Sequence, residues 1–404
     1  MFASGYDTTE TTSILNRDLL KVEEWATKWK VKFNAKKSKD LIFSHQQLNN
    51  SLPLLLNQQP IERVGSHKHL GLTLQPDLSF DQHLTNVLRH ANLKLSTLHS
   101  VRLLSRRTLD SMFKLQIRSI IDYCLQVYGP TLNVAQITKL EKVQYRAARL
   151  ATQTMKYTSR VKLLEELGWE SIATRIDYLS ICHYHKIVIG QTRERIRDCL
   201  PPRNQIIVNL RKTRIFGDYP YSSRTRSKYL DRSFFSKTSK LWDDLPIKLT
   251  YTADMQEFKL ALSEHMKPKK LKILNYGSKF GNSIHTQLRI GQSQLNSHLF
   301  KIGYSNTTKC LCGYKDETLT HFLHQCVLYQ EGRRSLHDKL TGLLESSITQ
   351  YNREKLTKVL LYGEDSDDPA QYRRNKSILW NVQHFLTQTK RLVYKSRLQF
   401  VLPN

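Results

Sequence analysis

The sequence predicts an α+β protein that is predominantly helical, with short antiparallel strands near the N-terminus and a metal-binding region near the C-terminus. Three observations support this fold class. Apolar residues recur at the helical period over long stretches, runs of strand composition are confined to the region before Ser79, and three of the six cysteines lie close together. The 404 residues suffice for two or three domains, each with its own core.

The N-terminal part is predicted to hold one helix and several short strands. A helix is predicted from about Thr9 to Lys30, with Asp7 and Glu10 as a capping box. Its inward face is predicted to consist of Ile14, Leu15, Leu19, Val22, Trp25 and Trp29. Segments of strand composition follow at Asp40–Ser44, Pro53–Leu56, Ile61–Val64 and Lys68–Leu74. Gly71, in the last of these, permits close backbone approach.

The middle of the chain is predicted to be a run of helices that begins at Ser79. The helix from about Val134 to Thr152 places apolar residues inward and basic residues, among them Arg146 and Arg149, outward. Helices at Ser159–Leu167 and Ser171–Ile189 continue the run. The segment from Arg193 to Lys279 is rich in basic and aromatic residues and predicts a loop-rich linker. A last helix is predicted from about Lys376 to Tyr394.

The charge of the chain indicates a polyanionic partner. The 63 Lys and Arg against 35 Asp and Glu give a formal charge of +28, which is spread over most of the length. We therefore expect RNA and DNA as partners and no small-molecule substrate. No apolar stretch reaches the roughly 18 residues of a membrane helix. The N-terminus lacks the pattern of a signal peptide, so we expect an intracellular protein of the nucleus or cytoplasm, with reduced thiols.

The cysteine cluster predicts a structural zinc site. Cys310, Cys312, His321 and Cys326 provide three thiolates and one imidazole, a donor set that zinc prefers in closed tetrahedral sites. Five residues of α-helix turn through about 500°, so His321 and Cys326 can share a metal only if the helix is distorted there. His324 remains an alternative imidazole ligand. Since no ligand position is left open, hydrolytic zinc chemistry is not expected.

A search for catalytic groups finds none in the sequence. Two-metal phosphoryl transfer needs converging carboxylates, but the pairs Asp243-Asp244 and Asp367-Asp368 lie in hydrophilic segments and are interpreted as solvated or capping acids. A phosphate-binding loop, a dinucleotide glycine pattern and a nucleophile elbow are also missing from the sequence. The residues taken alone therefore predict a binding protein.

Several strings resemble, in order, the reverse transcriptase of non-LTR (LINE-type, jockey-like) retrotransposons downstream of its Phe/Tyr-Ala-Asp-Asp motif. The N-terminal strings are Phe2-Ala3-Ser4-Gly5-Tyr6-Asp7, Leu15-Asn16-x-Asp18-Leu19 with Trp25 and Trp29, Phe33-Asn34-x-x-Lys37-Ser38, and His69-Leu70-Gly71-Leu72. The later strings are Asp122-Tyr123, Gln144-Tyr145-Arg146-Ala147-Ala148-Arg149, Leu241-Trp242-x-x-Leu245-Pro246 and the Cys310, Cys312, His321, Cys326 set. Together they cover nearly all of the chain.

This resemblance implies an architecture and its boundaries. Residues 1–78 would be a residual palm with motif D and a primer-grip-like hairpin, and residues 79–192 a helical thumb-like region. Residues 193–284 would be the basic aromatic linker, and residues 285–404 the zinc-knuckle and helical region. The family's catalytic aspartates, which hold Mg²⁺ in the complete enzyme, would lie upstream of Phe2. We therefore expect no polymerase activity from this chain alone.

The resemblance also suggests which side chains contact nucleic acid. Lys37 stands at the motif D position, where a cation near the departing pyrophosphate would offset charge; alternatively, it is one more solvated lysine of a basic turn. The candidate nucleic-acid-binding residues are Lys36, Lys37, Lys68, Arg146, Arg149, Arg224 and Arg226. Tyr221, Phe234 and Trp242 could stack on unpaired bases, although core packing is favoured for Phe234 and Trp242.

Three interpretations remain open at this point. The leading one is a C-terminal fragment of a reverse transcriptase that binds RNA or DNA without polymerising. The alternative is a host-recruited, zinc-containing nucleic-acid-binding protein without enzymatic activity. The third is a complete enzyme whose start has been assigned too late.

Overall fold

Helices make up most of the fold. The computed structural model describes residues 2–5, 7–44, 52–200, 233–266, 277–313, 315–365 and 368–392. The α-helices in these ranges are α1 (Thr8–Lys28), α2 (Asp81–Ser100), α3 (Arg106–Met112), α4 (Ser119–Asp122), α5 (Leu125–Tyr128), α6 (Val134–Thr152), α7 (Arg160–Leu167), α8 (Ile172–Val188), α9 (Glu194–Arg197), α10 (Phe234–Asp243), α11 (Ile247–Thr250), α12 (Met255–Met266), α13 (Lys279–Ile290), α14 (Asn296–Lys301), α15 (Gln330–Leu340), α16 (Arg353–Tyr362) and α17 (Pro369–Gln388). None of these helices is both long and apolar enough to cross a membrane.

The strands of the described residues are short. They are β1 (Lys39–Asp40), β2 (Leu55–Leu56), β3 (Gln59–Pro60), β4 (Glu62–Arg63), β5 (His67–His69) and β6 (Leu72–Leu74). Strands β2 and β3 pair antiparallel, as do β5 and β6, which is the direction predicted for the short strands, although β3 itself was not predicted. Strands β1 and β4 pair in parallel, so the prediction of antiparallel pairing is wrong there. The chain reverses at Leu70 and Gly71, both with positive φ, so Lys68–Leu74 forms a hairpin, as the resemblance implied, rather than the single strand that its composition predicted.

Residues 2–64 form a small N-terminal unit around α1. Its core cluster consists of Leu19, Ala35 and Leu56, and Ala26 is also buried. The β2–β3 hairpin docks on the middle of the helix, where the Asn16 side chain accepts a hydrogen bond from the Leu55 amide at 3.0 Å. The last turns of α1 extend beyond this hairpin. Trp25 and Trp29, predicted to face inward, are consequently 50% and 63% exposed, and that prediction is wrong.

Residues 67–200 form a helical bundle that carries the β5–β6 hairpin on its surface. Helix α2 packs along α6, and Phe113 stacks on Trp169 in the core with ring centroids 4.1 Å apart. The predicted bounds of α6, Val134–Thr152, are confirmed. Asn133 and Gln136 form a complete capping box at its start. The hairpin is fixed to the bundle by Tyr123, whose hydroxyl donates to the Leu70 carbonyl at 2.5 Å.

The described part of the predicted linker is helical rather than loop-rich. Helices α10 and α12 pack on α8, α11 packs on α12, and Trp242 and Phe258 are buried in the shared core. Core packing of Trp242 is therefore confirmed. Residues 277–392 form a C-terminal unit whose core joins α13, α15, α16 and α17. Tyr221 lies outside the described residues.

A buried ion cluster joins the bundle to the C-terminal unit. The Glu166 carboxylate on α7 accepts hydrogen bonds from Arg106 of α3 at 2.8 Å and from Arg289 of α13 at 2.6 Å. Thr286 also donates to Glu166, at 3.0 Å. Although burial alone would raise the pKa of Glu166, the two arginines outweigh it and lower the pKa to about 2.

Candidate metal centre and nucleic-acid interface

Cys310, Cys312, His321 and Cys326 come together in the C-terminal unit, as predicted. One ligand atom from each lies within 4.8 Å of those of the other three, and no other group of metal-ligating side chains was found among the described residues. The Cys310 and Cys326 sulfurs are 3.5 Å apart, and the Cys312 sulfur is 3.3 Å from His321 Nε2. Tetrahedral zinc with bonds of about 2.3 Å to sulfur separates its ligands by about 3.8 Å. The four side chains could therefore hold a metal ion.

A tight turn positions the first two ligands. The Cys310 amide donates to the Lys315 carbonyl at 2.9 Å, and the Gly313 amide donates to the Cys310 carbonyl at 2.9 Å. Gly313 has a φ of +81°, a conformation that favours glycine. The turn therefore places the Cys310 and Cys312 sulfurs on the same side of the loop.

A π-helical turn positions the other two ligands. Residues His321–Gln325 are π-helical, and the Cys326 amide donates to the His321 carbonyl at 2.8 Å across five residues. This turn is the distortion that a ligand pair spaced five residues apart requires. His324 is not part of the group, because its Nε2 lies 2.8 Å from the Thr357 hydroxyl. Burial and the charges of His337, Arg353 and Arg333 lower the pKa of His324 to about 4.

Burial controls the protonation of the cluster. It raises the pKa of the Cys310 thiol to about 12 and also raises the pKa of Cys326. Both sulfurs therefore need a cation to become thiolates at neutral pH. Among the described residues, the buried His321 Nδ1 atom has no hydrogen-bond partner.

Three residues that the sequence did not suggest support the metal loop. Glu317, fully buried, accepts a hydrogen bond from the Asn296 amide at 2.7 Å and another from Arg391 Nε at 2.6 Å. The Arg333 guanidinium donates to the Cys326 carbonyl. Glu317 and Arg391 are 74 positions apart, so no local pattern could have linked them.

The predicted arginines of α6 line a basic cavity. Arg146 and Arg149, with His99 from the last turn of α2 and Arg102 just after it, border a cavity of about 360 Å³, and its lining contains no acid among the described residues. Arg146 donates to the Asn92 side chain at 3.0 Å, and Arg149 Nε donates to the Met155 carbonyl at 3.1 Å. The sequence analysis did not identify His99 and Arg102. Both could have been found by following the helical period of α2 to its C-terminal end.

The other predicted contacts lie on separate elements. Lys36 and Lys37 are exposed in a 3₁₀ turn of the N-terminal unit, Ala35–Lys37, which Asn34 caps. Lys68 is exposed on β5 of the hairpin. Arg224 and Arg226 lie outside the described residues. Among the described candidates, Arg146 and Arg149 therefore share one basic surface, and Lys36, Lys37 and Lys68 lie on other elements.

Comparison with curated proteins gives three matches, all to RNA-directed DNA polymerases of mobile elements. The chain is 25% identical over 189 residues to a probable RNA-directed DNA polymerase from transposon X-element of Drosophila melanogaster, covering 45% of this chain and 20% of that protein. It is 31% identical over 144 residues to the RNA-directed DNA polymerase from mobile element jockey of the same species, covering 34% of this chain and 15% of that protein. The jockey polymerase of Drosophila funebris is 29% identical over 147 residues, covering 35% of this chain and 15% of that protein.

These matches confirm the resemblance to non-LTR retrotransposon reverse transcriptases. The matched segment amounts to a fifth or less of each relative's length. No family model matches the chain.

Proposed function

We propose that this chain corresponds to the part of a non-LTR retrotransposon reverse transcriptase that follows the catalytic motif, and that it binds RNA and DNA. The similarity to three RNA-directed DNA polymerases carries this proposal. The charge of +28 supports it, because phosphate contacts dominate nucleic-acid affinity. In this proposal, residues 1–78 are a residual palm, 79–192 a thumb-like region, 193–284 a basic linker and 285–404 a zinc-knuckle region.

Zinc is the metal that the Cys310, Cys312, His321 and Cys326 donors suit best. Three thiolates and one imidazole complete a tetrahedron, so the ion would crosslink the loop and the π-helical turn. The ion would therefore stabilise the C-terminal unit rather than activate water.

The basic cavity of α2 and α6 is the best candidate for phosphate contacts in the bundle. Arginine presents planar donors that match phosphate oxygens, and the described residues that line the cavity include no carboxylate to compete for them. Lys68 on the hairpin and Lys36 and Lys37 in the N-terminal unit would extend the contact. Arg224 and Arg226 belong to the same proposal.

Filter binding of a labelled RNA across a salt series tests the nucleic-acid proposal. We expect affinity to fall steeply with salt and the double substitution Arg146→Gln, Arg149→Gln to lower the slope of the log–log plot by about 0.7 to 0.9 per lost contact. Lys139→Gln, Lys142→Gln is the matched control, with the same charge change on exposed positions of the same helix. Binding that does not depend on salt, or equal effects of both variants, would contradict the proposal.

Metal analysis of the same samples tests the zinc proposal. We expect one zinc per chain in the unaltered protein and loss of zinc in Cys312→Ser. Cys199→Ser, at an exposed cysteine remote from the cluster, should retain it. Protein purified without chelator that contains no zinc would contradict the proposal.

Primer extension with Mg²⁺ tests the alignment to the enzyme family. We expect no incorporation of deoxynucleotides by this chain alone, because the carboxylates that bind Mg²⁺ in the family would lie upstream of Phe2. Robust incorporation would overturn the alignment.

A further inference from the structure

Three aromatic rings form an exposed cluster where α1 ends. Trp25, Trp29 and Phe33 are 50%, 63% and 37% exposed. The Trp25 ring centroid lies 6.4 Å from that of Trp29 and 6.4 Å from that of Phe33, with tilts of 38° and 34°. The cluster is therefore continuous, and more than half of the Trp29 side chain remains free to contact a ligand.

A left-handed turn after α1 brings Phe33 back beside Trp25. Lys30 has a φ of +54°, and the Val31 amide donates to the Ala26 carbonyl at 2.8 Å. The Lys30 amide donates to the Thr27 carbonyl at 3.2 Å, which completes a Schellman motif. The backbone thus fixes the relative placement of the three rings without covering them.

The surroundings of the cluster are strongly basic. The stretch from Trp25 to Lys37 contains five lysines and no acid. The five are Lys28, Lys30, Lys32, Lys36 and Lys37, and all are exposed. A protein partner fits this surface poorly, because lysine is depleted in protein–protein interfaces. A single-stranded nucleic acid fits it well, since its bases stack on aromatic rings and its phosphates attract cations.

We infer that Trp25, Trp29 and Phe33 are a stacking platform for unpaired bases of RNA or DNA, held there by the surrounding lysines. This inference rests on the proposed nucleic-acid function and adds to it a preference for single strands over duplexes. Bases of a duplex are already stacked on one another and are not available to the rings. The platform therefore favours single strands over duplexes.

Titration with a deoxythymidine oligonucleotide and with a duplex of the same length tests the platform. The first readout is quenching of tryptophan emission in the unaltered protein, and the second is affinity at fixed salt. The triple substitution Trp25→Leu, Trp29→Leu, Phe33→Leu keeps apolar side chains but removes the π surfaces. We expect it to weaken binding of the single strand about tenfold or more, with duplex affinity and salt slope unchanged.

Trp380→Leu is the matched control, because Trp380 is also 54% exposed but lies on α17, stacked on His384. It should leave both affinities unchanged. Trp29→Leu alone, at the most exposed ring of the three, repeats the test if the triple variant fails to fold by circular dichroism. It should give a smaller loss of the same kind.

The outcomes separate this inference from the proposed function. Unaltered protein that binds neither oligonucleotide would overturn the proposed function and the platform together. Normal binding by the triple variant, or equal weakening for single strand and duplex, would overturn the platform alone. The platform would also be overturned if the unaltered protein is a dimer that the triple substitution dissociates, since the rings would then contact a second copy of the chain.

Discussion

The N-terminal unit and the helical bundle differ in how their apolar residues are used. Both are predicted from the same signal, an apolar stripe at helical spacing. In the described residues, the core cluster of the bundle contains 22 buried apolar side chains from residues 67–200, whereas the core cluster of the N-terminal unit contains three. An apolar stripe therefore identifies one face of a helix but not whether another element covers that face.

Packing around cavities shows the same contrast. The N-terminal unit contains an open cavity of about 670 Å³, bordered by α1, residues 2–5 and residues 38–44. In the bundle, a Cβ atom at Gly129 would lie 2.9 Å from Ile176. The interior of the bundle is therefore tightly packed at this position, and we expect the bundle to be the more stable of the two.

Truncation of one core residue in each region should give the largest difference in unfolding free energy between the two regions. Phe113→Ala removes a fully buried ring that stacks on Trp169 and should cost about 3 to 5 kcal/mol. Leu19→Ala should cost about 2 kcal/mol, because the shallow core around it can relax. Urea unfolding followed by far-ultraviolet circular dichroism measures both. Equal losses would show that the small unit is as tightly packed as the bundle.

Acid should weaken the bundle through Glu166. The folded pKa of about 2 lies below the ordinary value of 4.5, so the stabilisation is complete above pH 4.5 and is lost as the pH falls toward 2. The loss should reach about 3 kcal/mol. The ion pair of Asp40 with Arg63 in the N-terminal unit is partly exposed and should contribute below about 1 kcal/mol.

Unfolding free energies at several pH values measure this effect. Glu166→Gln should be less stable than the unaltered protein at neutral pH, because it leaves Arg106 and Arg289 buried without a counter-charge. Its stability should also change less between pH 4.5 and 2. If the unfolding free energy changed equally with pH in both proteins, another group would be responsible for the loss of stability in acid.

Two glycines, one on each side of the boundary between the regions, should respond differently to a methyl group. Gly71 in the hairpin has a φ of +86°, and its Cβ would lie 2.8 Å from the Tyr123 ring. Gly71→Ala should cost about 1 to 2 kcal/mol. Gly65 has open space around it, so Gly65→Ala should cost nothing. Thermal unfolding compares the two, and a similar loss for both would contradict the strain at Gly71.

The smallest expected effect is a gain in the N-terminal unit. Lys30 adopts the left-handed conformation that glycine adopts more easily. Lys30→Gly should raise the free energy of unfolding by about 0.5 to 1 kcal/mol. This net gain is the relief of strain at position 30 minus the loss that comes from the higher entropy of the unfolded glycine variant. Lys28→Gly, inside the last turn of α1, is the control and should lower stability. Chemical unfolding of the two variants would distinguish the signs.

Local features were predictable from the sequence, and distant ones were not. Asn133 and Gln136 fix the start of α6 within four residues, so its bounds could be predicted. The four metal-cluster residues were predictable because their spacing and donor types are local. The salt bridge of Glu166 with Arg289 joins residues 123 positions apart, and no spacing indicates it. Trp25 and Trp29 were misplaced because the position of the β2–β3 hairpin along α1 is a tertiary property.

The π-helical turn at His321–Gln325 bears on how such sites are recognised in other chains. Ligands five positions apart share a face in a π-turn, and ligands four positions apart share a face in an α-turn. A chain with one residue inserted between the two ligands can therefore keep both ligands on the same face if the turn changes from α-helical to π-helical. A search pattern that fixes the interval between histidine and cysteine at a single value would overlook chains that use the other turn.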